Sequence, residues 1–119
     1  MLNKEMLLTS AQETEVKITL EVYHRGGDGG ELQMYYNYRY TDSDLTGTVP
    51  LHPTVPLGKT VTYYITLPKN IEVAFLGGTN DLEGITVIPS DAAIIPSMNP
   101  GVHLRILDNC TISGYVYTY

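Results

Sequence analysis

Apolar residues in this chain recur at every second position, segment after segment, and no stretch keeps a helical period beyond one turn. Val16, Ile18, Leu20 and Val22 alternate with Lys17, Thr19, Glu21 and Tyr23. Val61, Tyr63, Ile65 and Leu67 alternate with Thr62, Tyr64 and Thr66. A period of two sends one set of side chains into a core and the other into water, as a half-buried strand does. Turn residues break the pattern at short, fairly regular intervals. The expectation is an all-β domain: a two-sheet antiparallel β-sandwich of jelly-roll or Greek-key topology with about eight strands. A chain of 119 residues makes one such domain, read here as a loose lead-in over 1–14 and a sandwich over 15–119.

Between strands, Gly26-Gly27-Asp28-Gly29-Gly30 offers the positive-φ positions of a hairpin tip. The strand after it, from Glu31 to about Thr41, has Leu32, Met34, Tyr36, Tyr38 and Tyr40 on its core face. Gln33, Tyr35, Asn37, Arg39 and Thr41 lie on the other. Thr41-Asp42-Ser43-Asp44 reads as a turn, followed by a short strand near Gly47–Val49. Pro50, Pro53 and Pro56 then recur every third residue, the spacing of a polyproline II edge, and read as a stiff crossover between two sheets. Ile71, Val73 and Phe75 start a strand that ends at Gly77-Gly78. The short runs Ile85–Ile88 and Ala92–Ile95 close at Pro89 and Pro96. Pro100-Gly101 is a turn before Val102, Leu104 and Ile106, and a last strand covers about Ile112 to Tyr119.

The net charge of −6, with seven Lys and Arg scattered singly, argues against nucleic acid and against an electrostatic grip on anionic lipid. No apolar run reaches the length of an integral membrane segment. The first residues lack the pattern of a signal peptide, so synthesis in the cytosol is expected, with release by lysis or dedicated export for any extracellular role. Cys110 is the single cysteine and reads as a small buried residue. His24, His52 and His103 fall in no ligand spacing, so no metal or other cofactor is expected. Asp42 and Asp44, and the run Asn80-Asp81-Leu82-Glu83, read as structural turns rather than calcium loops. The glycine run lacks the ending of a phosphate loop. No motif asks for catalysis, and no catalytic residues are expected.

Tyrosine supplies ten of the aromatic residues, against one Phe and no Trp. A tyrosine packs its ring while its hydroxyl stays wet, which suits a binding surface on a sheet. Tyr23, Tyr35 and Tyr64 lie opposite the apolar faces of their strands. Gln33, Asn37 and Arg39 share a face with Tyr35. Sugar rings stack on aromatic faces while Asn, Gln and Arg bond hydroxyls, and Tyr with Arg also anchors protein interfaces. These six residues are the candidate ligand-binding set. A non-enzymatic recognition module is the first expectation. The second is a structural, oligomerising jelly roll, such as a phage or capsid-associated subunit, that self-associates through tyrosine-rich strands.

The segment Gly30-Glu31-Leu32-Gln33-Met34-Tyr35-Tyr36, the run Leu104-Arg105-Ile106-Leu107-Asp108-Asn109, and the ending Gly114-Tyr115-Val116-Tyr117-Thr118-Tyr119 resemble the small A subunit of the Pir-type binary insecticidal toxins. That resemblance spans roughly a third of the chain and leaves the proline-rich middle unmatched. It implies a signal-free, cysteine-poor β-sandwich that binds a glycan or cell-surface receptor and acts with a larger pore-forming protein partner.

Overall fold

The computed structural model describes residues 15–27, 30–40, 45–95 and 103–118. The expected lead-in over 1–14, the turn at Thr41–Asp44 and the turn at Pro100-Gly101 lie outside these residues. Among the described residues ten strands form: β1 (Glu15–Gly26), β2 (Glu31–Arg39), β3 (Thr46–Pro56), β4 (Thr60–Pro68), β5 (Glu72–Gly77), β6 (Asn80–Asp81), β7 (Glu83–Ile88), β8 (Ala93–Ile94), β9 (Leu104–Ile106) and β10 (Cys110–Thr118). A 3-10 turn, Ser90–Ala92, precedes β8. Among the described residues no helix is long and apolar enough to cross a membrane.

The strands build two sheets. One runs β4-β1-β10-β7, and the other runs β3-β2-β5-β9-β8 with β6 paired to β5. The fold is therefore the two-sheet sandwich that the period-two pattern predicts. Pairing is antiparallel except between β1 and β10, which run parallel from Ile18↔Cys110 to Gly26↔Thr118. That one parallel pair departs from the expected antiparallel architecture.

The inward faces are the apolar sets of the sequence. Val16, Ile18, Leu20, Val22, Tyr63, Ile65, Leu67, Ile112 and Val116 come from the first sheet. Leu32, Met34, Leu51, Val55, Val73, Phe75, Leu104 and Ile106 come from the second. Each fully buried aliphatic side chain contributes on the order of 1.5–3 kcal/mol. Tyr36, Tyr38 and Tyr40 pack at the margin of this core. Tyr36 meets Phe75 edge-on, with ring centroids 6.3 Å apart, and Tyr38 and Tyr40 lie 5.9 Å apart. This is the core face assigned to β2 from sequence.

Two connections differ from expectation. The glycine run after β1 is a crossover between sheets and not a hairpin, because both edges of β1 are already occupied, by β4 and β10. Gly26, at φ 143°, passes so close to β10 that a Cβ would collide with the Thr118 carbonyl. The Gly27 amide donates to that carbonyl at 3.2 Å.

The proline triplet is also no crossover. Pro50, Pro53 and Pro56 lie within β3, an edge strand paired on one side to β2. An edge strand tolerates proline because alternate N–H groups face solvent and are not needed by the ladder. Around Pro53 the β2–β3 register slips between Leu32 and Met34. The gap is closed by side chains. The Gln33 amide donates to the carbonyls of Met34 and Leu51, at 2.8 Å each, and the Tyr63 hydroxyl donates to the Pro53 carbonyl. Such a bulge leaves backbone groups unpaired unless something else bonds them.

Candidate functional site

The six candidate residues divide between two opposite surfaces. Gln33, Tyr35, Asn37 and Arg39 lie on the outer face of the β3-β2-β5-β9-β8 sheet, alternating with the inward Leu32, Met34, Tyr36 and Tyr38. Tyr23 and Tyr64 lie on the outer face of the other sheet, opposite Val22 and Tyr63. Even those two are apart, since Tyr64 sits beside Thr19 while Tyr23 pairs with Thr60 and Tyr115.

On the first surface the strand registers set residues side by side. Thr48, Asn37 and Ala74 form one row, and Thr46, Arg39, Glu72 and Arg105 form the next. Ala74 is buried and small, so the face dips between longer neighbours. The result is a groove of about 340 Å³ lined by Asn37, Arg39, Thr46, Thr48, Glu72 and His103, with Tyr38 and Gly47 between them. Tyr35 is the next outward residue along β2 and pairs with Pro50 and Leu76.

Glu72 is the electrostatic centre. Its side chain is 9% exposed, and Arg39 is 59% exposed. Arg39 directs both Nε, at 3.0 Å, and Nη2, at 2.6 Å, to Glu72 Oε1. A buried carboxylate held this way fixes the guanidinium in place. The Thr48 hydroxyl donates to Asn37 Oδ1 at 2.7 Å, which points the Asn37 amide N–H groups elsewhere. Arg105, across the strand pair from Glu72, keeps a buried Nε with no hydrogen-bond partner. Gln33 is committed to the β3 bulge and lies outside the groove lining.

Glu72, Thr46, Thr48 and His103 were not among the sequence candidates. For Glu72 there was a signal: one acid opening the apolar run Glu72-Val73-Ala74-Phe75-Leu76, which needs a cation once that strand is central. His103 carries no spacing signal in the sequence. It is half-buried and lines the groove.

The opposite surface carries a second aromatic group. Arg25 lies over the rings of Tyr115 and Tyr117, 5.3 and 5.9 Å from their centroids. Tyr23 stands beside Tyr115, and Tyr64 is 83% exposed. Among the described residues no group of three His, Cys, Asp or Glu side chains is placed to hold a metal ion. The acidic run at Asn80–Glu83 lines a shallow hollow with Ile85, Ile95 and Tyr117. His24 is buried away from both surfaces, bonded through Nδ1 to the Val55 carbonyl at 2.9 Å and through Nε2 to Thr118 Oγ1 at 3.0 Å.

No family model matches this chain, and no curated protein does. Among solved structures it is similar to a bacterial adhesin from Mobiluncus mulieris that contains intramolecular disulfide, isopeptide and ester bond cross-links. That likeness has a TM-score of 0.42 and 9% identity over 85% of this chain and 41% of the other. It is also similar to the pilus-presented adhesin Spy0125 (Cpa), with a TM-score of 0.45 and 13% identity over 88% of this chain and 28% of that one. The chain thus spans less than half the length of these adhesin chains. These likenesses are to adhesins and not to Pir-type toxins.

Proposed function

We propose that this domain is a non-catalytic recognition module that binds a glycan in the groove across β3, β2 and β5. The observation that carries this reading is the groove itself: hydroxyl, amide and guanidinium groups of Thr46, Thr48, Asn37 and Arg39, held on paired strands with fixed register. Sugar hydroxyls need such planar and hydroxyl partners held still, and strands hold them better than loops do. Tyr35 extends the same face with an aromatic ring. Among the described lining residues the one carboxylate, Glu72, is tied to Arg39 and supports positioning rather than proton transfer. The reading requires neither toxin activity nor a pore-forming partner.

The test is a glycan-array and cell-binding screen with Asn37→Ala and Tyr35→Ala beside the parent protein. The expected outcome is saturable binding that each substitution weakens by roughly tenfold, the loss of a good polar or stacking contact, with an unchanged urea midpoint. Saturable binding that neither substitution alters would move the ligand off this groove.

A second reading, a structural subunit that self-associates, is favoured by the exposed Tyr64 and Ile88 on the outer face of the other sheet. It predicts a stable homo-oligomer by sedimentation that Tyr64→Ser with Ile88→Ser dissolves, and no glycan binding.

A further inference from the structure

We infer that the ligand of this groove is acidic: a sugar residue whose carboxylate is taken by the free end of the Arg39 guanidinium. This deepens the glycan reading above and depends on it. A guanidinium offers two edges to a carboxylate, one through Nε and one Nη, the other through both Nη groups. Glu72 Oε1 takes Nε and Nη2. That leaves the Nη1–Nη2 end of a largely exposed side chain pointing away from its anchor. A second carboxylate can occupy that end as a fork, with two parallel charge-assisted hydrogen bonds.

Among the described residues, the groove places further donors beside that edge. Asn37 has its oxygen engaged by Thr48, so its amide N–H groups face outward. Thr46 adds a hydroxyl, and His103 adds a ring nitrogen. Arg105 stands on the far side of Glu72, forms no ion pair among the described residues, and keeps an unpartnered Nε. Two arginines thus flank one carboxylate in this row, and only Arg39 is paired with it. Among the described residues this row sums to +1, from Arg39 and Arg105 against Glu72, on a chain whose net charge is −6. A neutral sugar would leave the outer edge of Arg39 to water, whereas a carboxylate takes both of its N–H groups as a fork. The hydroxyl and amide groups along the same groove favour a sugar over a bare peptide terminus as the carrier of the acid.

The experiment is titration calorimetry of the whole chain against matched pairs: glucuronate- against glucose-terminated oligosaccharides, and N-acetylneuraminate- against galactose-terminated ones. A peptide with a free C-terminus and its amidated form make a further arm. Expected is binding of at least one acidic sugar about tenfold or more tighter than its neutral match, the worth of a charged bidentate contact. Arg39→Gln should remove that preference, lowering acidic-sugar affinity about tenfold more than neutral-sugar affinity. Arg39→Lys, which keeps the charge and loses the fork, should also lose most of it. The preference should shrink with added salt. Circular dichroism and a urea midpoint confirm that each variant is folded.

Equal affinity for acidic and neutral sugars, abolished by Asn37→Ala, would overturn the acid assignment while the glycan reading stands. A preference retained in full by Arg39→Lys would overturn the fork. Binding of the free-terminus peptide alone, or of nothing in the panel, would overturn the glycan reading itself.

Discussion

His24 is the residue whose role is most out of line with its appearance in the sequence. It continues the inward set Val16, Ile18, Leu20, Val22 and is buried like them. The Val55 carbonyl can only accept, so Nδ1 donates to it, and Nε2 makes a second bond with the Thr118 hydroxyl. One ring therefore joins β1, β3 and β10 across both sheets. His24→Ala should destabilise the domain by about 2–4 kcal/mol, because it opens a cavity and strips the buried Val55 carbonyl of its partner. His24→Asn, smaller but still able to donate, should recover part of that loss. Urea midpoints of the three proteins at one pH check both statements. A lone histidine carries no spacing signal, and its partners are separated from it by 31 and 94 residues. Its bonding was therefore not legible until the strands were paired.

At the scale of elements, glycines show why the strands fit as they do. Tyr38 faces Gly47 in the β2–β3 register, and its ring fills the space where a Cβ would stand. Tyr115 covers Gly84 between β10 and β7 in the same way. Rings placed over glycine explain how tyrosine-rich strands avoid crowding, and they follow a known device for glycine in sheets. Gly26 is the strictest position. Gly26→Ala meets both an unfavourable φ of 143° and the Thr118 carbonyl. The expected cost is upward of about 3 kcal/mol, from backbone strain plus displacement of β10. Gly27→Ala, with nothing within 4 Å of its Cβ, should cost far less. Thermal melts of the pair separate close approach from general loss of glycine.

The same elements mark what one chain could tell by itself. Strand faces were readable because alternation is local and survives any topology. Pairing was not, since Gly26–Gly30 suits a hairpin and a crossover equally well. Which was built depended on β4 and β10 claiming both sides of β1. Likewise, the prolines of β3 mark an edge strand only once β2 is seen to hold one side of it. The β2 half of the groove could be named in advance because it lies on one strand. Glu72, Thr46, Thr48 and His103 join it through cross-strand registers that no local pattern encodes.

The whole molecule should lose stability on the alkaline side. Burial pushes the Cys110 thiol above its ordinary value near 9.0, with the charge of Asp108 adding to the effect. Burial likewise raises Tyr63, and burial with the neighbouring Tyr38 raises Tyr36, above the ordinary phenol value of 10.0. All three groups are neutral when protonated, and all three release their protons more readily from the unfolded chain. The unfolded state therefore binds fewer protons once the pH passes the unfolded thiol value. The stability that the three groups confer is complete below about pH 8.5 and drains away as pH rises through their raised folded values. Net charge, already −6, grows more negative over the same range and adds self-repulsion that salt relieves. Urea midpoints at pH 7.5, 9 and 10.5, with and without 0.5 M salt, measure the decline. Cys110→Ala should flatten its first part and leave the phenol-driven part intact. Native Cys110 should also react slowly with a disulfide reagent at pH 8 and rapidly in urea, since the thiolate forms readily only when the two sheets separate. Fast labelling of the native protein would show that this end of β10 opens without global unfolding, and the alkaline decline would then have to begin there.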